Sequence, residues 1–64
     1  MIIAYLQNTS TGKIYKAVNN KILLLWLSSR KEWVRCTTTY EDLFIGDYMN
    51  SFELINDSQI GEYL

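Results

Sequence analysis

Six consecutive apolar residues, Ile22-Leu23-Leu24-Leu25-Trp26-Leu27, constrain this chain more than any other stretch of it. A half-exposed strand alternates apolar with polar side chains, whereas apolar residues on both parities require cover on both faces. Leucine favours helix on propensity. Yet Asn19-Asn20 stands just before the run and Ser28-Ser29-Arg30 just after it. Turn signals that close fit a strand better than a helix of about 10 residues or more. The run is therefore expected to form a strand within Lys21 to Ser28, with Trp26 in the core or in a subunit interface.

The neighbouring segments read in the same way. Met1 to Leu6 is a first strand, and Asn8-Thr9-Ser10-Thr11-Gly12 a turn in which Gly12 is free to take positive φ. Lys13 to Val18 is a second strand, and Asn19-Asn20 suits a two-residue type I′ hairpin turn. Trp33 to Thr39 is a fourth, with Val34, Cys36 and Thr38 on one face and Trp33, Arg35 and Thr37 on the other. At Thr39-Tyr40-Glu41-Asp42 the pattern changes to a capping box. Leu43, Phe44 and Tyr48 are expected to share one face of a short helical turn that Gly46 ends. Phe52 to Ile55 closes the series as a strand. The fold class is mainly β: a small SH3-like barrel, or a five-stranded antiparallel meander with one short helical turn before the last strand. Residues 1–56 form one small β domain, and 57–64 a C-terminal tail or short capped turn. This order of elements over roughly residues 1–56 resembles SH3-like small barrels. The acidic loops and aromatic groove of peptide-binding SH3 domains do not line up with the chain, so the resemblance implies an architecture and no binding residue.

Chemistry is constrained by what is scarce. The 64 residues hold one cysteine, Cys36, and no histidine. No disulfide framework or zinc site can be built within one chain, and the usual general base is missing. Cys36 reads as a buried structural thiol, since only an activated thiolate is a nucleophile. Glu41-Asp42 reads as a pair of first-turn acids, and Gly12, Gly46 and Gly61 make no phosphate-cradling motif. The chain is expected to be no enzyme and to need no cofactor or metal. Its longest apolar run has six residues, against about 20 for a membrane span. With no export signal and one unpaired cysteine, a reducing cytoplasm is the expected compartment.

Recognition is the remaining class, and charge divides it in two. Through Tyr40 the chain has six basic residues against Glu32 alone; from Glu41 onward it has six acidic residues and no basic one. The halves either neutralise each other across the surface or mark an interaction face. The favoured reading is a protein-binding module whose acidic and aromatic turn carries the contacts: Tyr40, Glu41, Asp42, Asp47 and Tyr48. Exposed connections are where binding residues concentrate, and aromatics are typical anchors. The alternative is a single-stranded nucleic-acid binder using Lys13, Tyr15, Lys16, Lys31, Trp33 and Arg35 on the basic strands. The acidic sequence pI of about 5.1 weighs against it.

Two further expectations concern partners. Lys21 through Ile55, a tryptophan-bearing hairpin followed by an acidic turn and Ser51-Phe52-Glu53-Leu54-Ile55, resembles small phage and mobile-element proteins of low-GC bacteria. The resemblance implies a host or competitor enzyme as partner, inhibited by carboxylates standing where phosphates would lie. Ile2, Ile3, Leu23, Leu25, Leu27, Trp33 and Phe44 exceed what a five-stranded barrel of this size would hold, which predicts a two-fold homodimer.

Overall fold

The computed structural model describes residues 4–46 and 48–64, so Met1, Ile2, Ile3 and Asp47 lie outside the described residues. The strands are β1 (Ala4–Asn8), β2 (Ile14–Asn19), β3 (Ile22–Leu27), β4 (Glu32–Arg35) and β5 (Phe52–Ile55). One α-helix, α1 (Tyr40–Ile45), follows β4, and 3₁₀ turns occupy Tyr48–Ser51 and Ile60–Glu62. Every neighbouring pair of strands is antiparallel, in the order β4-β3-β2-β1-β5. The chain is thus mainly β, with a short helix and a 3₁₀ turn ahead of the last strand. Of the two expected arrangements the open sheet is formed and the closed barrel is not. β4 and β5 are its edges, and β4 is only four residues long.

That short β4 corrects the expected strand from Trp33 to Thr39. Cys36 still donates its backbone N–H to the Leu23 carbonyl at 2.9 Å, but Thr37 and Thr38 leave the sheet as an exposed bend. The hairpin between β2 and β3 also differs from expectation. A type I′ turn needs positive φ at both central residues, and neither Asn19 nor Asn20 has it. Instead the Asn19 Oδ1 accepts the Lys21 N–H at 2.8 Å, a side-chain substitute for a backbone turn, and the register shifts between Ala17 and Asn19. Gly12 does take positive φ, at 77°. The left-handed residue nobody would choose for its side chain is Lys31, at φ 54°, in the turn between β3 and β4.

Strand alternation gives the sheet two faces. On one, Leu6, Ala17 and Leu23 are buried together with Leu43 of α1, and Ala4, Tyr15, Cys36, Tyr40 and Phe52 pack around them. On the other, the register sets Ile55, Tyr5, Lys16, Leu24 and Arg35 in one row across all five strands, with Trp26 opposite Trp33 beside it. β3 is covered on both sides as its sequence requires, but unevenly. Leu23 is buried, while Leu24, Leu25, Trp26 and Leu27 are half-buried. Among the described residues no helix is long and apolar enough to cross a membrane.

Candidate functional site

The acidic turn forms as its sequence directs. Thr39 caps α1: its Oγ1 accepts the Asp42 N–H at 3.1 Å, and Asp42 Oδ2 accepts the Thr39 N–H at 3.1 Å. Gly46 ends the helix, donating its N–H to the Asp42 carbonyl at 2.9 Å. Its φ of −85° needs no glycine. Space does, because a Cβ at Gly46 would run into the Tyr48 ring.

Three of the five expected contact residues already have structural partners. Tyr40 is half-buried against the core and meets Phe44 edge-on, with ring centroids 5.1 Å apart. Glu41 accepts Lys21 Nζ at 2.6 Å, and its N–H donates to the Asn20 carbonyl at 3.0 Å, tying α1 to the β2–β3 turn. The Glu41 hydrogen bond, with its negative charge, holds the Lys21 ammonium above its ordinary pKa. Lys21–Glu41 therefore joins the basic half to the acidic half, whereas Arg30–Glu32 lies within the basic half. Asp42 serves the capping box. Tyr48 is exposed, and Asp47 lies outside the described residues.

Asp42→Lys removes the carboxylate that accepts the Thr39 N–H and reverses a favourable first-turn charge. The expected cost is about 0.5–2 kcal/mol, read as a lower melting temperature. An unchanged melting temperature would mean that Asp42 contributes nothing as a cap.

Two large apolar side chains of α1 stand exposed instead of packing on the sheet. Phe44 is 57% exposed and Ile45 76%, and both neighbour the exposed Tyr48. Phe44 was expected to share one face of the turn with Leu43 and Tyr48. In a six-residue helix, however, successive residues point about 100° apart, so Leu43-Phe44-Ile45 cannot all face one sheet. That run of three was the available signal. Beside them opens a shallow groove of about 320 Å³, lined by Asn8, Thr38, Leu43, Tyr48, Ser51 and Phe52. Leu54 of β5, opposite Leu6 in the register, is 71% exposed.

Cys36 is half-buried, and burial pushes its thiol above the ordinary range, away from the thiolate. Tyr15, packed edge-on against Phe52 at 5.3 Å, is raised by burial first and by the nearby Cys36 second. Both groups are neutral when protonated, and folding raises both pKa values. Their contribution to stability is therefore fully present below the unfolded-chain values and is lost as pH climbs through the raised folded ones. Melting temperature is expected to fall as pH passes about 9 and to fall less in a Cys36→Ser variant. A flat profile to about pH 11 would overturn this assignment.

The basic residues divide between the faces. Tyr15 packs into the α1 side, so it does not join Lys16, Trp33 and Arg35, which share the opposite face. Lys13 and Lys31 are exposed and lie outside the strands. No protein-family model matches the chain, and comparison with curated proteins and with solved structures gives no match.

Proposed function

We propose that the chain is a non-enzymatic protein-binding module that engages its partner through the α1 surface. The observation that carries this reading is the exposure of Phe44, Ile45 and Tyr48 within five residues, beside an open groove. Scattered surface apolar groups need no explanation, but adjacent large ones mark interaction surfaces. Aromatic anchors of this kind dominate binding energy, and the Asp42 carboxylate at the rim biases the choice toward a basic partner. The charge-led site of Tyr40, Glu41, Asp42, Asp47 and Tyr48 is thereby shifted to side chains that are more than half exposed, Phe44, Ile45 and Tyr48. The resemblance to phage and mobile-element proteins extends the proposal to a host or competitor enzyme in the cytoplasm, inhibited by occupation of its binding site.

The test is affinity capture from the native host with wild type and with a Phe44→Ser/Ile45→Ser variant. Loss of one captured protein from the variant, at an unchanged melting temperature, supports the reading. Equal capture by both would move the function elsewhere. Self-association is a second reading, favoured by Leu54 on the open edge of β5. A monomer by light scattering at tens of micromolar would remove it.

A further inference from the structure

We infer that the sheet face opposite α1 binds single-stranded nucleic acid, independently of the α1 surface. The decisive observation is the position of Trp33. It belongs to β4, three strands from β1, a separation of roughly 14 Å at ordinary strand spacing. Yet its ring centroid lies 6.4 Å from that of Tyr5 on β1 and 5.1 Å from that of Trp26 on β3. The indole therefore reaches inward across the sheet instead of standing off its edge. Lys16 Nζ sits over it, 4.5 Å from the ring centroid. The ring is half-buried, and what covers this π-face is the end of a flexible side chain that an arriving group can displace.

Charge selects the arriving group. Among the described residues the ion pairs are Lys21–Glu41 and Arg30–Glu32, which leaves Lys16 and Arg35 without carboxylate partners. They lie in the same cross-strand row, separated only by Leu24. Register places Glu53 on this face, opposite Gln7 at the far end of the row that holds Trp26 and Trp33, and Asp57 lines a hollow beside Tyr5, so neither stands between Lys16 and Arg35. Two unpaired cations flanking a planar aromatic match a phosphate-sugar backbone with unstacked bases. A base stacked on Trp33 would displace the Lys16 side chain, and base–aromatic stacking is stronger than an exposed cation–π contact. The freed ammonium would then reach a phosphate. A duplex hides its bases from such a platform, so the ligand is a single strand. Six of the seven acids lie from Glu41 onward, and of the strand residues among them the register places Glu53 alone on this face.

The experiment follows tryptophan fluorescence while an oligo-dT strand of about 12 nucleotides is added. Trp33 and Trp26 report directly on the site. Saturable quenching is expected, with affinity falling about sevenfold between roughly 50 and 200 mM salt, as two phosphate contacts on a single strand require. Arg35→Gln, an exposed substitution, should lower the salt slope by about 0.7, and Lys16→Gln likewise. Trp33→Leu should weaken binding roughly tenfold or more. If that variant fails to fold, the two glutamine variants still decide. Absence of quenching, equal quenching by duplex or by polyglutamate, or salt slopes unchanged in both glutamine variants would each overturn the inference. A Phe44→Ser/Ile45→Ser variant should bind oligo-dT as wild type does.

Discussion

Leu23→Ala is expected to remove much of the domain's stability. Leu23 is 2% exposed and lies on β3, between β2 and β4, in one cluster with Leu6, Ala17 and Leu43. Truncating a fully buried leucine costs about 2–5 kcal/mol, through lost transfer energy and an unfilled cavity. A domain of 64 residues buries only about 60% of its unfolded surface, so its total stability sits near the low end of about 5–15 kcal/mol. No disulfide exists to restrain the unfolded chain, Cys36 being the only cysteine. At about 4–8 °C per kcal/mol for a domain of this size, the melting temperature should fall by at least about 8 °C. Circular dichroism during a thermal scan reads the result. A cooperative transition within a few degrees of wild type would mean that the core lies elsewhere.

The second large effect separates two neighbours in sequence. Leu43 is 4% exposed and is the one buried residue of α1, whereas Phe44 beside it is 57% exposed. A six-residue helix has no stability of its own and persists only by packing. Leu43→Ala should therefore cost about 2–5 kcal/mol and release α1 from the sheet, ending partner capture as well. Phe44→Ala removes an exposed ring whose described aromatic contact is the edge of Tyr40, 5.1 Å away. Its stability should change by about 0.5 kcal/mol or less, as is usual for surface substitutions. Capture should nevertheless weaken about 30-fold or more, the effect of losing a single interface anchor. Urea melts paired with capture by the same two variants distinguish these outcomes. Equal stability losses would show that α1 is seated differently on the sheet.

Local chemistry was the legible part of this chain. Thr39 and Asp42 at capping-box spacing specified the start of α1, Gly12 specified a positive-φ turn, and Phe52–Ile55 was bounded correctly as a strand. Each of these depends on residues within a few positions of one another. Features set by distant packing were harder to read. Whether the sheet closes depends on where β4 stops, and Thr37-Thr38 has a β-branched composition that favours strand but lies beyond the last ladder pair. Trp26 was expected in a core or an interface. It is half-buried against Trp33, with its indole N–H enclosed and unpartnered. The acidic site was read from charge, but charge cannot reveal that Glu41 is committed to Lys21 across twenty residues of chain. The basic site was half legible: strand parity placed Trp33 and Arg35 together, while Tyr15 belonged to the other face.

The strand order also sets a timetable for synthesis. β1 sits between β2 and β5, so one side of it is completed by its immediate successor and the other by the last strand to be made. Asn8 pairs with Phe52, and the residues between them take a ribosome roughly 2–9 s to add. The β1–β2 hairpin, by contrast, can close in about 1–10 μs. Until β5 has been added, the β1 edge of the growing sheet lacks its partner, although that strand ends up internal. A bare edge is a template for intermolecular pairing. Crowded polysomes making this chain are thus expected to lose product at that stage, and supplying a peptide spanning Ser51–Ile55 in trans should improve its yield.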